Sequence, residues 1–408
     1  MALSIKESFI AGFTDFFSRK IRSLVTILGI VLGTMSIIVI LSLVNGINKQ
    51  SLAWMMERGG LTKITVRENW DYKSPTNQKD YFQLKEINFI RSKLPEAKHM
   101  NPRIRHWVKF AFEDKEYHTS VNGVMPAYTE IEEWFPQEGR FFNMFDYKNS
   151  NNVIVIGTTV KEELFGNRNP IGEYITVQNK RLQVIGVMKH RYMKNKGQVG
   201  RENVFSYLNR RTFVPLSTLI HKGTGEDRIS RFTIKAKDLK SVSSLKRKLE
   251  ALLLNMRAGE PIFRVWSAKE RAEEIKKNSR IFAIIFYIIS MISLFVGGIV
   301  IMNIMLASIK ERTREIGIRI AVGAKRIDIF IQFLVQSVLV TSIGGIIGVS
   351  IGLSILDVVE KYLEFELIPS FVIILIAIVI SAGVGLIFGI FPSIKASNLN
   401  PVEALRYE

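Results

Sequence analysis

Residues 308–330 read SIKERTREIGIRIAVGAKRIDIF, a charged island between two of the most apolar stretches of the chain. The flanking residues 281–307 and 329–356 contain no Asp, Glu, Lys, Arg or His. Each is about 27 residues long, roughly 40 Å as a helix, enough to cross a hydrocarbon core of roughly 30 Å. The island carries six cations, Lys310, Arg312, Arg314, Arg319, Lys325 and Arg326, against the three anions Glu311, Glu315 and Asp328. Short loops rich in Lys and Arg stay on the cytoplasmic side, so this is expected to be a cytoplasmic loop joining two spans. Within it Ile316, Ile320 and Ala324 recur every four residues, while Gly317, Ala321 and Gly323 keep the neighbouring surface low. That spacing predicts a short helix that another protein can approach closely. A plain stop-transfer loop, whose charges only anchor two helix ends, accounts for the same cations.

Two more uncharged runs, residues 24–44 and 367–394, bring the expected spans to four. The first is too long for a signal peptide and no small-residue cleavage site follows it. Arg19, Lys20 and Arg22 precede it, which predicts cytoplasmic termini and an external loop at 357–366. Residues 2–20 place Ile5, Phe9, Ile10, Phe13, Phe16 and Phe17 on one face, the pattern of an interfacial amphipathic helix. Gly344, Gly348 and Gly352 recur at four-residue spacing, as do Gly29 with Gly33 and Gly385 with Gly389, which permits close helix packing. Gln332 and Gln336 are expected to hydrogen-bond between helices. After Pro392, the residues Asn400, Pro401 and Glu403 fit the N-cap, first turn and capping acid of a short final helix.

Between the first two spans, residues 46–279 turn polar and mixed, as expected of an extracytoplasmic α+β domain. Its ends repeat a β-α-β pattern. One comprises strands at 62–67 and 107–112 around a helix at 83–94; the other comprises strands at 231–235 and 262–266 around a helix at 239–256. A β-rich insert at about 119–219 separates them, with clear strands at 153–156 and 182–187 and turns at Gly123, Pro126, Gly139, Gly157, Pro170 and Gly172. The fold class is thus an α-helical membrane protein with four transmembrane helices and an extracytoplasmic α+β domain between helices 1 and 2. The expected divisions are 1–22 interfacial helix, 23–45 first span, 46–279 external domain (46–118 and 220–279 around the insert), 280–396 membrane domain with loop 308–328, and 397–408 C-terminal helix.

Of the 408 residues 47% are hydrophobic and the mean hydropathy is +0.15, which argues against an ordinary soluble enzyme. The formal charge is +19, and nearly all of it is external: residues 46–279 hold 42 Lys and Arg against 26 Asp and Glu, a difference of 42 − 26 = 16. Residues 180–248 alone hold 18 basic and 4 acidic residues. Such a patch suits lipid head groups, an anionic envelope polymer or an acidic partner, and also a merely solvated face. Nucleic acid is not the expected partner, because the excess charge belongs to an external domain. With no cysteine, thiolate metal sites and cysteine nucleophiles are excluded. The chain contains no phosphate-binding loop of the Gly-x-x-x-x-Gly-Lys-Ser/Thr type, so any ATP is expected on a partner. The five histidines, His99, His106, His118, His190 and His221, show no ligand spacing, and no metal or catalytic residue is expected. Uncharged spans argue against a proton relay or charged ion pathway.

ERTREIGIRIAVGAKRIDI at 311–329 closely resembles the motif after the second membrane helix of MacB-like and FtsX-like ABC transporter permeases. FGIFPSIKASNLNPVEALRYE at 388–408, GVMPAYTEIEEWFPQEGRFFNMFD at 123–146 and NVIVIGTTVKEELFGNRNPIGEYITV at 152–177 resemble further blocks of that family. The resemblance implies a non-catalytic permease subunit in a bacterial plasma (inner) membrane, with its large domain periplasmic or extracellular. It would pair with a second copy or paralogue and with two ABC ATPase subunits that bind ATP and Mg, and a periplasmic adaptor protein is a further candidate partner. Such systems transmit ATP-driven motion to the external domain for export or extraction of an envelope-side substrate. By the same resemblance the loop is a coupling helix, with Arg312, Arg314, Glu315, Gly317, Arg319, Ala321, Gly323 and Ala324 at the ATPase interface. The family also implies two alternatives: an FtsX-like transmembrane regulator of an envelope hydrolase, and a LolC/LolE-like lipoprotein-releasing permease. The MacB-like exporter carries a fused ATPase domain, from which this sequence departs.

Overall fold

In the computed structural model, residues 20–72, 80–192, 203, 205–225, 227–363, 367 and 369–405 are described. The amphipathic reading of residues 2–20 falls almost wholly outside them. Contacts divide the chain into two compact units, Met1–Asn48 with Lys277–Glu408, and Lys49–Lys276.

Among the described residues, four helices are long and apolar enough to cross a membrane: α1 (Lys20–Met56), α9 (Ala268–Glu311), α11 (Arg326–Leu363) and α12 (Phe371–Ser397). Residues 357–363, expected as part of an external loop, instead continue α11. Glycines set the helix contacts. A Cβ on Gly29 of α1 would lie 2.8 Å from the Gly297 Cα of α9, and one on Gly348 of α11 would lie 1.9 Å from Thr34 Oγ1 of α1. Gly352 likewise backs onto Met35, and Gly385 of α12 onto Thr341; Gly344 is buried. Close approach brings polar groups within reach of backbone carbonyls on neighbouring helices. Ser337 Oγ donates to the Gly385 carbonyl at 2.7 Å, and Ser381 Oγ to the Thr341 carbonyl at 2.6 Å.

The second unit is built on strands β1 (Lys63–Glu68), β2 (Ala97–Phe112), β3 (Lys115–Val124), β4 (Pro136–Gly139), β5 (Val153–Ile156), β6 (Tyr174–Val177), β7 (Lys180–Met188), β8 (Thr212–Pro215), β9 (Arg231–Ala236) and β10 (Phe263–Ser267). The two β-α-β halves interleave in the order β10-β1-β9-β2, antiparallel throughout, the split β-α-β arrangement. Helices α2 (Leu84–Lys93) and α8 (Ser241–Met256) supply its cover: Ile87, Ile90, Val242, Leu245, Leu249 and Leu253, at helical spacing, are buried in one core with Ile64, Val66, Phe232 and Ile234. Phe82 stacks on Phe263 at 3.9 Å in that core.

The strand expected at 107–112 begins ten residues earlier, and its second half leaves β9 for β3. The expected insert boundary at 118/119 falls inside β3, so the two portions share a continuous strand pair instead of meeting at a linker. Strands β2, β3, β8, β5, β7 and β6 then pair in a closed circuit. Closure removes the exposed edges that short strands would otherwise present. Between these strands lie α3 (Tyr128–Glu132), α4 (Met144–Lys148), α5 (Thr158–Phe165), α6 (Ser206–Asn209) and α7 (Leu216–Thr218). Tyr128, Trp134, Phe142, Phe205 and Phe213 form a second core, where the Trp134 indole donates to the Lys189 carbonyl at 2.7 Å.

Candidate functional site

The charged island folds as α10 (Thr313–Ala321), separated from α9 by Arg312 alone. Thr313 Oγ1 donates to the carbonyls of Ile309 and Lys310, both at 2.9 Å, holding the break. Glu315 lies in the first turn of α10 and Arg319 in the last, each at the end where its charge suits the helix dipole. Gly323 closes the helix at φ +103, a conformation that disfavours any side chain, and the Ala324 N–H bonds back to the Arg319 carbonyl at 3.0 Å.

A second short helix, α13 (Pro401–Leu405), packs on α10. Asn400 caps it: its Oδ1 accepts from the Val402 N–H at 3.2 Å, and its carbonyl accepts from Ala404 at 2.9 Å. Ile316 is buried with Ile309, Ile329 and Ala396, and Leu399 packs against the same cluster. Arg319 Nη1 donates to Gln332 Oε1 at 3.1 Å, tying α10 to the start of α11. Gln332 thus bonds between helices, with the loop helix as its partner; Gln336 is buried.

The loop residues separate into two sets. Gly317 turns inward, where a Cβ would lie 2.6 Å from the Cβ of Ala404, so the low surface at this position seats α13. Arg314, Glu315, Ala321 and Gly323 are exposed, while Arg312, Arg319 and Ala324 are half-buried. The exposed set adjoins apolar side chains that periodicity did not single out: Val322 is 84% exposed, and Ile318, Ile327 and Val402 are also exposed. Their signal in the sequence is faint, because an isolated Val or Ile in a charged helix ordinarily reads as core. A large side chain at Gly317, Trp above all, is expected to overpack the α10–α13 contact at a cost of about 1–3 kcal/mol. Amide exchange at residues 401–405 of the full chain checks this; unchanged protection there would refute it.

The His190 and His221 Nδ1 atoms pair with Thr158 Oγ1 at 2.8 Å and Ser150 Oγ at 3.1 Å, and among the described residues no His, Asp and Glu cluster suits a metal.

Residues 23–252 match the model of the MacB-like periplasmic core domain, and residues 287–401 that of the FtsX-like permease C-terminal domain. The chain is 31% identical over 407 residues to a macrolide export ATP-binding/permease protein MacB of Bdellovibrio bacteriovorus, covering 97% of this chain and 61% of that protein. It is 33% identical over 405 residues to the protein of the same name from Chlorobium luteolum, covering 97% and 59%. The chain thus spans about three fifths of the length of these relatives. The solved periplasmic region of MacB from Actinobacillus actinomycetemcomitans aligns with a TM-score of 0.46 and 19% identity, over 56% of this chain and 98% of that one.

Proposed function

We infer, from the premise that the chain belongs to the family of permeases with a MacB-like periplasmic core domain, that it is the transmembrane subunit of an ATP-driven system acting on a substrate at the outer face of the membrane. The observation that carries this reading is the exposed face of α10, with Arg314, Glu315, Ile318, Ala321 and Val322, backed by α13. A helix seated on a second helix and tied by Arg319 to Gln332 transfers displacement instead of absorbing it. A partner ATPase binding ATP and Mg would push on this face. By the charge of the loop the face and both termini are cytoplasmic, in a bacterial inner membrane, and Lys49–Lys276 lies outside. The apolar residues of α9 that its own bundle leaves exposed, among them Phe282, Phe286, Met291 and Ile292, would meet lipid or a second permease copy.

Purification of the full chain from its native membrane tests this. An ABC ATPase is expected to come with it, and ATP hydrolysis is expected to rise when the two are reconstituted. Recovery of an envelope hydrolase without a transported substrate would move the reading to a regulator, and a lipoprotein carrier would move it to extraction. A periplasmic adaptor protein in the complex would support export.

A further inference from the structure

The sheet β10-β1-β9-β2 has an apolar face under α2 and α8 and a second face of different character. On that second face the register aligns Arg264, Arg67, Arg231 and Arg103 side by side, one from each of the four strands. Two residues along, Trp266, Thr65, Thr233 and Asn101 form the next row. Like charges directly opposite one another on neighbouring strands destabilise a sheet, so a row of arginines is costly unless something neutralises it. Arg264 has Asp71 at 2.7 Å. Among the described residues, Arg67, Arg103 and Arg231 have no carboxylate within ion-pair distance, and Arg103 is held down to about 9 by burial and by the neighbouring Arg211 and Arg231.

Three of these arginines, Arg67, Arg231 and Arg103, line one wall of a cavity of about 550 Å³ lying wholly within Lys49–Lys276. Arg58, Lys63, Arg211 and Arg271 also line it, which makes seven cations with Arg67, Arg103 and Arg231, against the single carboxylate Glu132. Glu132 is already taken by Lys63. Among these charges the lining also offers apolar surface, from Trp54, Met55 and Ile275 and from Trp266 of the next row. Arg67 lies 4.7 Å from the Trp266 ring, and the indole nitrogen of Trp266 is buried without a hydrogen-bond partner among the described residues. A buried donor left unpaired and an uncompensated guanidinium row are the residues of an incomplete site.

We propose that this cavity binds an amphiphile whose headgroup carries adjacent phosphoryl groups, the anion lying along Arg67, Arg231 and Arg103 and the apolar body against Trp54, Trp266 and Ile275. Guanidinium forks match phosphoryl oxygens two at a time. Three neighbouring strands span about 9–10 Å, more than one phosphate covers, so a diphosphate-type group fits better than a single phosphate. The site is read without ATP or a partner ATPase, and its failure would leave the coupling reading intact.

The test is calorimetric titration of the full chain in nonionic detergent with farnesyl diphosphate, inorganic pyrophosphate, farnesol and a polyglutamate peptide. Farnesyl diphosphate is expected to bind most tightly, pyrophosphate more weakly and farnesol not measurably. The double variant Arg103→Gln/Arg231→Gln is expected to weaken farnesyl diphosphate by about a hundredfold and to raise the denaturation midpoint of the unliganded protein, since it relieves repulsion. Equal binding of pyrophosphate would overturn the amphiphile in favour of a free polyanion, and preference for polyglutamate would overturn phosphoryl recognition. A double variant that binds farnesyl diphosphate as well as the parent, or is less stable than it, would assign the arginines a purely structural role.

Discussion

Glu132→Gln is expected to destabilise the external domain by about 3–5 kcal/mol, the loss typical when one member of a buried ion pair is removed. Glu132 pairs with Lys63 where their side chains are only 12% and 11% exposed, and Lys63 also donates to the Arg58 carbonyl at 3.0 Å. Burial alone would raise the Glu132 carboxyl; Lys63, Arg211 and Arg58 instead pull it below its ordinary range. Burial lowers the Lys63 ammonium from 10.5 to about 8, against the pull of Glu132. Without the carboxylate, Lys63 shares a cavity with six other cations and no counter-charge. The unfolded chain holds the Lys63 proton up to about 10.5 and the folded chain only to about 8, so between these values the unfolded state binds more protons. This group's contribution therefore makes the protein more stable as pH rises through that window. Glu132→Gln should consequently be most damaging at neutral pH, and Glu132→Gln/Lys63→Met should recover most of the loss. Amide exchange over β1 and β9 in the full chain reports both; a single variant as protected as the parent would remove the pair from the account of stability.

The second large effect is expected at the other unit. Glu315→Arg with Val322→Asp should abolish most stimulation of a partner ATPase, weakening association by about thirtyfold or more if Val322 is a central contact. Both side chains are exposed, and the change leaves the Gly317–Ala404 contact and the Arg319–Gln332 bond untouched. Loss of coupling with unchanged exchange protection at residues 401–405 would therefore report the surface itself. Full stimulation in this variant would exclude α10 as the point of contact.

Much of this architecture is legible in the sequence alone. Spans are long uncharged runs, and the solvent imposes that pattern on the sequence directly. The β-α-β halves were likewise legible, because Ile64 with Val66 and Phe232 with Ile234 alternate, and Leu245, Leu249 and Leu253 follow a helical period. The short final helix was announced by Asn400 and Pro401, since capping is a local hydrogen-bond problem.

What periodicity could not supply was which partner each face meets. By period Gly317 offers an open approach for another protein, whereas in the fold it accommodates Ala404, about ninety residues away in the chain. The closed circuit of strands was invisible because β2 looks like one strand and pairs as two, with β9 and then with β3. The external charge excess was plain in composition, yet its concentration into an arginine row was not. Arg67, Arg103, Arg231 and Arg264 lie in four segments separated by tens of residues, each unremarkable alone. Composition and period thus settle which segments are membrane, strand or helix, because those preferences act over a turn or a pleat. Register and long-range docking decide which charges become neighbours, because that is a property of the pairing of strands and not of any one of them.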